Sequence, residues 1–193
     1  MNISELLRQC CLLFVVLSII TGIVYPLAIT GIAQVLWPAK ANGSLVRVNG
    51  NVVGSALLGQ EFTSSRYFWG RPSATSPAYN AAASSGSNLG PLNPALSKNA
   101  KDRLAALSAA DAGMETQLPP VDLVTSSGSG LDPHISIAAA RYQAARVARE
   151  RHLTAEEVNK LIEAATEPMQ LGVLGEPRVN VLLLNLSLDK SAK

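Results

Sequence analysis

The sequence predicts an α+β protein with one N-terminal transmembrane helix followed by a single mixed α/β extracytoplasmic domain. Residues 9–39 carry no charge and lie between Arg8 and Lys40, and about 20 apolar residues suffice to cross a bilayer as a helix. The rest of the 193-residue chain is long enough for one domain with its own core, and it mixes helix and strand patterns. The expected parts are a short cytoplasmic head at 1–8, the transmembrane helix at 9–38 and the domain at 39–193.

The uncharged run has two other interpretations. A helix in the core of a soluble protein is shorter and keeps a polar side. A cleavable signal peptide has an apolar stretch of about 7–15 residues that ends in small residues of the A-x-A type. Ala39-Lys40-Ala41 matches that pattern, but the run before it is roughly twice too long for a signal peptide. Length therefore favours a retained membrane anchor.

The charges around the span leave its orientation nearly undecided. The positive-inside rule weighs Arg8 and the amino terminus on one side against Lys40 and Arg47 on the other. A long tail can be exported whatever its charge, while a short head stays easily in the cytosol, so we expect the N-terminus inside and the domain outside. Both cysteines, Cys10 and Cys11, lie at the membrane boundary and do not decide the redox compartment.

The span carries features that a simple anchor does not need. Pro26 has no backbone N–H and clashes with the carbonyl of Gly22, which predicts a kink, and the hydroxyls of Ser18 and Thr21 are placed to satisfy freed backbone groups. Small or weakly polar residues recur every four positions and predict a face that packs against partner helices. The side-chain amide of Gln34 could form a hydrogen bond to such a helix. No charge in the span offers a path for ions. This stripe consists of Ser18, Gly22, Pro26, Thr30 and Gln34.

The domain is predicted to begin with a hairpin and an aromatic cluster. Apolar residues flank the turn sequence Asn49-Gly50-Asn51, and the second strand could run on to Gly59. Tyr67, Phe68 and Trp69 follow, and Arg71 lies in the turn behind them. We interpret these residues as a packing cluster for an irregular segment, or as a docking surface made of Tyr67, Trp69 and Arg71, because aromatic residues and Arg dominate interface hot spots.

Residues 72–94 consist mostly of Ser, Gly, Ala, Asn and Pro. Their composition suits a flexible linker, or a long loop ordered by hydrogen bonds between side chains and backbone at Tyr79-Asn80 and 87–90. A helix is predicted to begin at Asn93-Pro94, since Asn caps and Pro suits the first turn. Asp111-Ala112-Gly113 is predicted to end that helix.

The second half of the domain is predicted to contain two strands and two helices. Residues 121–125 form a candidate strand, and a helix from about Ile137 to Arg151 carries a basic patch that we interpret as a solvated face. The capping box from Thr154 to Glu157 begins another helix. Residues 178–188 are apolar on both alternating sides, which predicts a strand buried on both faces.

A Gly/Ser-rich loop between the predicted strand and helix is the only candidate for nucleotide contact. Such a setting lets backbone amides cradle a phosphate. The chain has no P-loop sequence, no lysine follows this loop, and its aspartate would repel an anion. A plain Gly/Ser turn is the alternative interpretation. The candidate contact residues, for a nucleotide or for a partner, are Ser127, Gly128, Ser129, Gly130 and Asp132.

Catalysis has weak support in the sequence. Ser127 or Ser129 with His134 and an aspartate, Asp122 or Asp132, are the residue types of a hydrolytic triad, and they define the alternative of a membrane-anchored serine hydrolase. The nucleophile-elbow sequence is missing. The only two histidines are far apart and the domain has no cysteine, so no metal site is expected. A net charge of +2 without a basic cluster gives no sign of a nucleic-acid partner.

Several long and unusual stretches resemble one protein family across almost the whole chain, namely the C subunit of the bacterial Kdp potassium-transporting P-type ATPase, the KdpC family. The stretches are Tyr25-Pro26, residues 42–45, 54–60 with Phe62, 67–74, Tyr79-Asn80, 84–88, 123–125, 127–132 with Ile135, 179–181, 184–186 and Leu188-Asp189.

The resemblance implies an accessory subunit rather than an enzyme. In that family the complex imports K⁺ with ATP that the B subunit hydrolyses, while the A subunit holds the channel-like path and a small F subunit completes the complex. The C subunit is described as a catalytic chaperone that raises the ATP affinity of the B subunit. The resemblance thus implies a location in the cytoplasmic (inner) membrane and no firmly bound cofactor, with ATP contacted only together with the B subunit.

Overall fold

The computed structural model describes residues 2–111 and 118–191 of the chain. It divides the chain into two compact units, residues 1–45 and 46–193. The first unit is a membrane-span candidate with a short following helix. The second unit is a mixed helix and sheet domain, as the sequence predicts.

The first unit contains helix α1 (Ile3–Ile19), a π-helical turn (Ile20–Val24) and helix α2 (Tyr25–Leu36). Together they form Ile3–Leu36, 34 residues that are long and apolar enough to cross a membrane. The helix therefore begins before the predicted boundary. The wide turn directly precedes Pro26, which is where the missing N–H predicts an irregular helix. The Thr21 hydroxyl donates to the Leu17 carbonyl at 2.8 Å. This carbonyl is not the Gly22 carbonyl that Pro26 leaves without a donor, so the predicted role of the hydroxyls there stays a prediction.

Helix α3 (Pro38–Ala41) follows Trp37 and brings Asn42 back to the end of the span. The amide of Asn42 donates to Gln34 Oε1 at 3.0 Å, and the Gln34 amide donates in return to Asn42 Oδ1 at 3.3 Å. Asn42 also donates to the Pro38 carbonyl at 2.7 Å. Gln34, the last residue of the stripe, is thus hydrogen-bonded within the chain itself.

The hairpin prediction is confirmed. Strand β1 (Leu45–Val48) and strand β2 (Asn51–Ser55) are joined by Asn49 and Gly50, whose φ angles of 51° and 82° suit the two-residue turn with positive φ at both positions. The strand ends at Ser55, however, and does not run on to Gly59. The Ser55 hydroxyl accepts from the Leu57 amide at 3.1 Å, which turns the chain out of the sheet.

Three helices lie where the sequence predicts them. Helix α4 (Pro94–Ala110) begins at Asn93, whose side chain accepts from the Ala95 amide. The helix ends at Ala110 with Asp111 as its C-cap, which agrees with the predicted end at Asp111-Ala112-Gly113; residues 112 and 113 lie outside the described residues. Helix α5 (Ile137–Arg151) has Ser136 as its cap, and helix α6 (Ala155–Ala164) begins with the predicted capping box of Thr154 and Glu157.

Two strand predictions are wrong. Residues Val121–Leu123 form a 3₁₀ turn, in which the Thr125 hydroxyl bonds back to the Val121 carbonyl at 2.7 Å. The late run forms only strand β5 (Arg178–Asn180) before helix α7 (Val181–Ser191). A short apolar run does not distinguish a buried strand from a buried helix, and Asn180 decides here, because its side chain caps the helix by accepting from the Leu183 amide at 3.1 Å.

The sheet is small and antiparallel. Strand β3 (His134–Ser136) and strand β4 (Thr166–Glu167) flank β5, giving the order β3-β5-β4. In this register Val179 is paired with Ile135 on one side and with Thr166 on the other. The apolar faces of α5, α6 and α7 contribute most of the core, together with Phe68, Trp69 and Leu107.

The prediction that the basic face of α5 is solvated is correct for two of its arginines and wrong for the other two. Arg141 and Arg149 are exposed, but Arg146 is 1% exposed and Arg151 is 8% exposed. Arg146 is paired with Asp111 at 2.8 Å. Arg151 is paired with Asp189 at 2.8 Å. Buried arginines of this kind need several partners, which the folded domain supplies.

Asn180 provides a test of the change from strand to helix. Its amide also donates to the Ala56 carbonyl at 2.8 Å, so Asn180→Ala removes a helix cap and leaves a carbonyl unpaired. We expect a loss of about 1–3 kcal/mol in the free energy of unfolding, measured by urea titration of the detergent-solubilised protein. Asn180→Ser keeps a capping oxygen and should lose less. Equal losses in both variants would contradict the capping role.

Candidate functional site

The Gly/Ser loop, residues 126–132, is held by the connecting segment, residues 72–93. The Ser129 carbonyl accepts from the Ser85 amide and from the Ser84 hydroxyl, both at 3.0 Å. The Gly130 carbonyl accepts from the Ser73 hydroxyl at 2.7 Å. The connecting segment, which has only one 3₁₀ turn at Ala81–Ala83 among its described residues, is therefore an ordered loop rather than a linker.

Hydroxyl groups order the connecting segment internally. Ser73 Oγ accepts from the Tyr79 amide at 2.9 Å, and Thr75 Oγ1 accepts from the Asn80 amide at 2.9 Å. The Tyr79 hydroxyl donates to the Arg71 carbonyl at 2.6 Å. The predicted ordering at Tyr79-Asn80 is confirmed, and small polar side chains replace the backbone ladders of regular structure.

Two glycines let the Gly/Ser loop and the connecting segment approach closely. Gly130 has φ of +68°, and a Cβ at this position would lie 2.6 Å from the Ser85 carbonyl oxygen. A Cβ on Gly86 would lie 2.9 Å from the Gly128 carbonyl oxygen. Both positions therefore require the absence of a side chain.

Two backbone amides of the Gly/Ser loop are hydrogen-bonded within the loop itself. The Gly130 amide donates to the Ser127 carbonyl at 3.3 Å, and the Leu131 amide donates to Ser129 Oγ at 3.1 Å. Ser127 is 5% exposed, whereas Gly128 and Ser129 lie at the surface. Asp132 adds a negative charge at the end of the loop. The geometry favours the interpretation of these residues as a structural turn.

The Asp132 carboxylate lies between Arg71 and His134. Arg71 Nη1 lies 3.3 Å from Asp132 Oδ2, and its Nη2 donates to the Ser126 carbonyl at 3.2 Å. Asp132 Oδ1 accepts from the His134 amide at 3.0 Å and lies 3.5 Å from His134 Nδ1. Burial raises the pKa of the Asp132 carboxyl, but the hydrogen bonds from His134 and the charge of Arg71 outweigh it and hold the pKa below its ordinary value.

The arrangement around His134 gives no support to a serine hydrolase. The other ring nitrogen, Nε2, lies 3.6 Å from Glu167 Oε2, and Glu167 also is paired with Arg178 at 3.0 Å. Both imidazole nitrogens thus face carboxylates. A triad needs one nitrogen to accept the proton of a serine, and Ser127 lies buried in the turn. Asp122, the other candidate, accepts from the Ser136 amide at 2.7 Å.

Two clefts adjoin Arg71. One, of about 490 Å³, is lined by Asp132, His134 and Arg178 among others. The other, of about 420 Å³, is lined by Trp69, Tyr79 and Arg103 among others. Burial raises the pKa of Tyr79 and lowers that of Arg103, yet the Tyr79 hydroxyl is bonded to the backbone. Among the described residues no group of three metal-ligating side chains occurs.

Two members of the aromatic cluster, Phe68 and Trp69, pack in the core. Phe68 is fully buried and Trp69 is 7% exposed, so the docking interpretation does not hold for Trp69. Tyr67 is half-buried, and its hydroxyl donates to the carboxylate of Asp189 at 3.2 Å. Arg71 is half-buried in its ion pair with Asp132. A docking role for Tyr67 and Arg71 stays a prediction.

The sequence reasoning missed the polar residues that hold this cluster. Gln143 is fully buried, and its amide group pairs with the backbone of Trp69 on both the N–H and C=O sides, at 2.8 Å and 3.1 Å. Arg146 Nη2 donates to Gln143 Oε1 at 2.7 Å. Helical spacing from Ala140 and Val147 would have placed Gln143 on the buried face of α5. The signal was therefore present in the sequence.

The residues of the membrane stripe are exposed in the described structure. A Cβ would meet nothing within 4 Å at Gly22 on the stripe, and the same holds at Gly31 on a different side of the helix. The stripe's contact with partner helices stays a prediction.

The depressed pKa of Asp132 predicts acid sensitivity. A carboxyl whose pKa is lower in the folded than in the unfolded protein stabilises the fold above its unfolded pKa, and this contribution disappears as the pH falls through the folded pKa. We therefore expect the free energy of unfolding to fall below about pH 4, and Asp132→Asn to flatten that fall, as measured by urea titration at several pH values. Asp102→Asn, at an exposed carboxylate on α4, serves as the control. Parallel pH profiles of wild type and Asp132→Asn would rule the contribution out.

Gly130 tests the close approach of the Gly/Ser loop to the connecting segment. Gly130→Ala should lower the free energy of unfolding by about 2–4 kcal/mol, since it combines a positive φ with a steric clash against backbone. Gly175→Ala is the matched control, because its φ is +75° and nothing lies within 4 Å of the added Cβ. The control should cost about 1–2 kcal/mol. Equal losses in the two variants would show that the approach is not tight.

Comparison with known proteins places the chain in a family. The family model KdpC, described as the K⁺-transporting ATPase c chain, matches residues 7–190. A Potassium-transporting ATPase KdpC subunit of Polaromonas naphthalenivorans (strain CJ2) is 60% identical over 187 residues, which cover 96% of this chain and 95% of the relative. A protein of the same name from Variovorax paradoxus (strain S110) is 58% identical over 190 residues, covering 98% of each. A third, from Janthinobacterium sp. (strain Marseille), is 58% identical over 184 residues, covering 95% of this chain and 97% of the relative. The matches include both the apolar helix and the domain, and the chain therefore belongs to the KdpC family of potassium-transporting ATPase subunits.

Proposed function

We propose that the chain is the accessory, non-catalytic C subunit of an ATP-driven K⁺ import complex. The observation that carries the proposal is the extent of the family match, residues 7–190, which includes most of the apolar helix and nearly all of the described domain. The relatives at 58–60% identity bear the name of that subunit. Its expected partners are the channel-like A subunit, the ATP-hydrolysing B subunit and the small F subunit.

The chemistry of the domain agrees with an accessory role. The Ser129 and Gly130 carbonyls of the Gly/Ser loop accept hydrogen bonds from the connecting segment, and His134 faces two carboxylates. The uncharged span gives no group that could hold or pass an ion. Transport and ATP hydrolysis would therefore take place on the other subunits, and the chain would contribute structure and contacts.

We place the span in the cytoplasmic (inner) membrane with the N-terminus inside and the domain outside. Arg8 directly precedes the uncharged run, and export of the long segment after the run does not depend on its charge. Within the membrane, the stripe from Ser18 to Gln34 would pack against helices of the partner subunits.

The proposed action on ATP affinity is indirect. With the domain outside the membrane, a nucleotide on the B subunit lies on the opposite side. The Gly/Ser loop would therefore not contact ATP, and any effect of the chain on ATP affinity would pass through the span to the B subunit. A ligand or partner changes affinity at a second site only by favouring one conformation of the complex over another.

The decisive experiment compares the purified ATPase complex with and without this chain in proteoliposomes. We expect loss of K⁺-stimulated ATP hydrolysis and of K⁺ uptake when the chain is omitted, with recovery when it is added back. Full activity of the complex without the chain would overturn the proposed function.

The stripe has its own test. Gly22→Leu should weaken co-purification of the chain with the other subunits by at least about tenfold, because a bulky side chain holds a neighbouring helix away. Gly31→Leu makes the same change on a different side of the helix and is the control. Unchanged assembly of Gly22→Leu would remove the stripe from the interface.

A further inference from the structure

A cleft of about 380 Å³ lies between the first strand of the hairpin and helix α7. We call it the hairpin cleft. Val46 and Val48 of β1 line it on one side, and Leu183 and Leu186 of α7 line it on the other. All four side chains keep part of their surface exposed. Clefts of this size with an apolar lining are large enough for a small molecule.

The hairpin cleft also contains two cations and no carboxylate. Arg47 and Lys190 are exposed, and neither forms an ion pair with another described residue. Arg47 Nη1 donates to the Gly50 carbonyl at 3.1 Å, and a guanidinium has five N–H donors, so it can bind a further acceptor. The two clefts that adjoin Arg71 differ, because both include carboxylates.

A phosphate ester that carries acyl chains matches both parts of the hairpin cleft. Arg and Lys are the side chains that bind phosphate in proteins, and an apolar lining favours contact with hydrocarbon. Segments that lie on a membrane surface combine Lys or Arg with apolar residues for the same reason. On the same hairpin, Leu45 is 51% exposed and Val52 is 48% exposed. The hairpin therefore has the composition of a lipid-contacting segment.

The chain itself holds the start of the hairpin near a bilayer. As a helix, residues 9–36 are about 42 Å long, which exceeds the hydrocarbon core of about 30 Å, so the last turn with Gln34 reaches the headgroup region. Asn42 is hydrogen-bonded to Gln34. Leu45, the first residue of β1, follows three residues later and lies within about 11 Å of Asn42. The strand that lines the cleft thus begins at the membrane surface.

We infer that the hairpin cleft binds an anionic phospholipid of the membrane that the span crosses. Arg47 and Lys190 bind the phosphate, and an acyl chain lies against Leu183 and Leu186. A free phosphate would leave the apolar lining unused, and the tether gives lipid a far higher local concentration than a soluble ligand has. The bound lipid holds the domain against the bilayer. This site needs no other subunit and functions in either orientation of the span.

Photolabelling in the full-length protein tests the site. The chain is reconstituted in vesicles with phosphatidylglycerol that carries a diazirine beside its glycerol ester, or with phosphatidylcholine that carries the same group. After irradiation, mass spectrometry should find the anionic probe on residues 45–50 and 181–190 at least about fivefold more often than the zwitterionic probe. Equal labelling by the two probes, or no label on these segments, would overturn the inference.

Paired substitutions test the role of the two cations. Arg47→Gln with Lys190→Gln should lower labelling of the cleft by the anionic probe at least about tenfold, whereas Arg47→Lys with Lys190→Arg should retain most of it. Lys101→Gln with Arg141→Gln removes the same two residue types from exposed positions elsewhere and is the control. All three variants should keep the thermal unfolding temperature, since these side chains are exposed. Undiminished labelling of the Gln pair at the cleft would reject the inference.

Two further measurements identify any other occupant. Inorganic phosphate in excess should leave the lipid label in place, because it offers no acyl chain; complete displacement would show a site for free phosphate instead. In the assembled ATPase complex, p-benzoyl-phenylalanine in place of Leu186 should crosslink to lipid. A crosslink to another subunit alone would show that the cleft is a protein interface, which would overturn the inference and leave the proposed function standing.

Discussion

The buried guanidinium of Arg146 is the interaction on which the rest of the domain depends. A buried charge is tolerated only when it is paired and hydrogen-bonded, and Arg146 meets that requirement from four directions. It contacts Asp111 at the end of α4, the carbonyls of Ser65 and Tyr67, and Gln143 one turn earlier on α5. Its guanidinium also lies 5.0 Å from the centre of the Trp69 ring. One side chain thus joins two helices to the irregular aromatic segment.

Side-chain amides form hydrogen bonds with the backbone of the aromatic segment, as neighbouring strands do in a sheet. Asn185 on α7 accepts from the Phe68 amide at 2.9 Å and donates to the Phe68 carbonyl at 3.0 Å. Gln143 does the same for Trp69 from α5. Two amide groups therefore supply the four backbone hydrogen bonds of residues 68 and 69, so a stretch without regular structure can lie in the core. The ordering of Arg71 and the connecting segment follows from this anchorage, because Arg71 comes two residues later.

Local chemistry made some elements predictable and tertiary contacts decided the others. The turn at Asn49-Gly50 and the capping box at Thr154 depend on a few adjacent residues, and the sequence shows both. Residues 181–188 were ambiguous, since the choice between strand and helix rests on the cap at Asn180 and on burial of both sides of the element. The polar core residues Gln143 and Arg146 looked like surface residues by type. Helical spacing places Gln143 on the buried face of α5, but the groups that satisfy Gln143 and Arg146 lie largely on distant segments. The candidate loop at 126–132 likewise showed its structural use only beside residues 73–86.

The π-helical turn before Pro26 affects how the two halves of the span are aligned. In an α-helix of 3.6 residues per turn, every fourth residue lies slightly past a full rotation, so a row of such residues winds slowly around the axis. A π-helical turn closes on the fifth residue and is wider, so a fourth residue there falls slightly short of a full rotation. The two deviations have opposite signs. The π-helical turn at Ile20–Val24 therefore offsets part of the rotation of this row around the helix axis. Positions 18 to 34 keep closer to a straight line along the helix, which suits a neighbouring helix that crosses at a shallow angle.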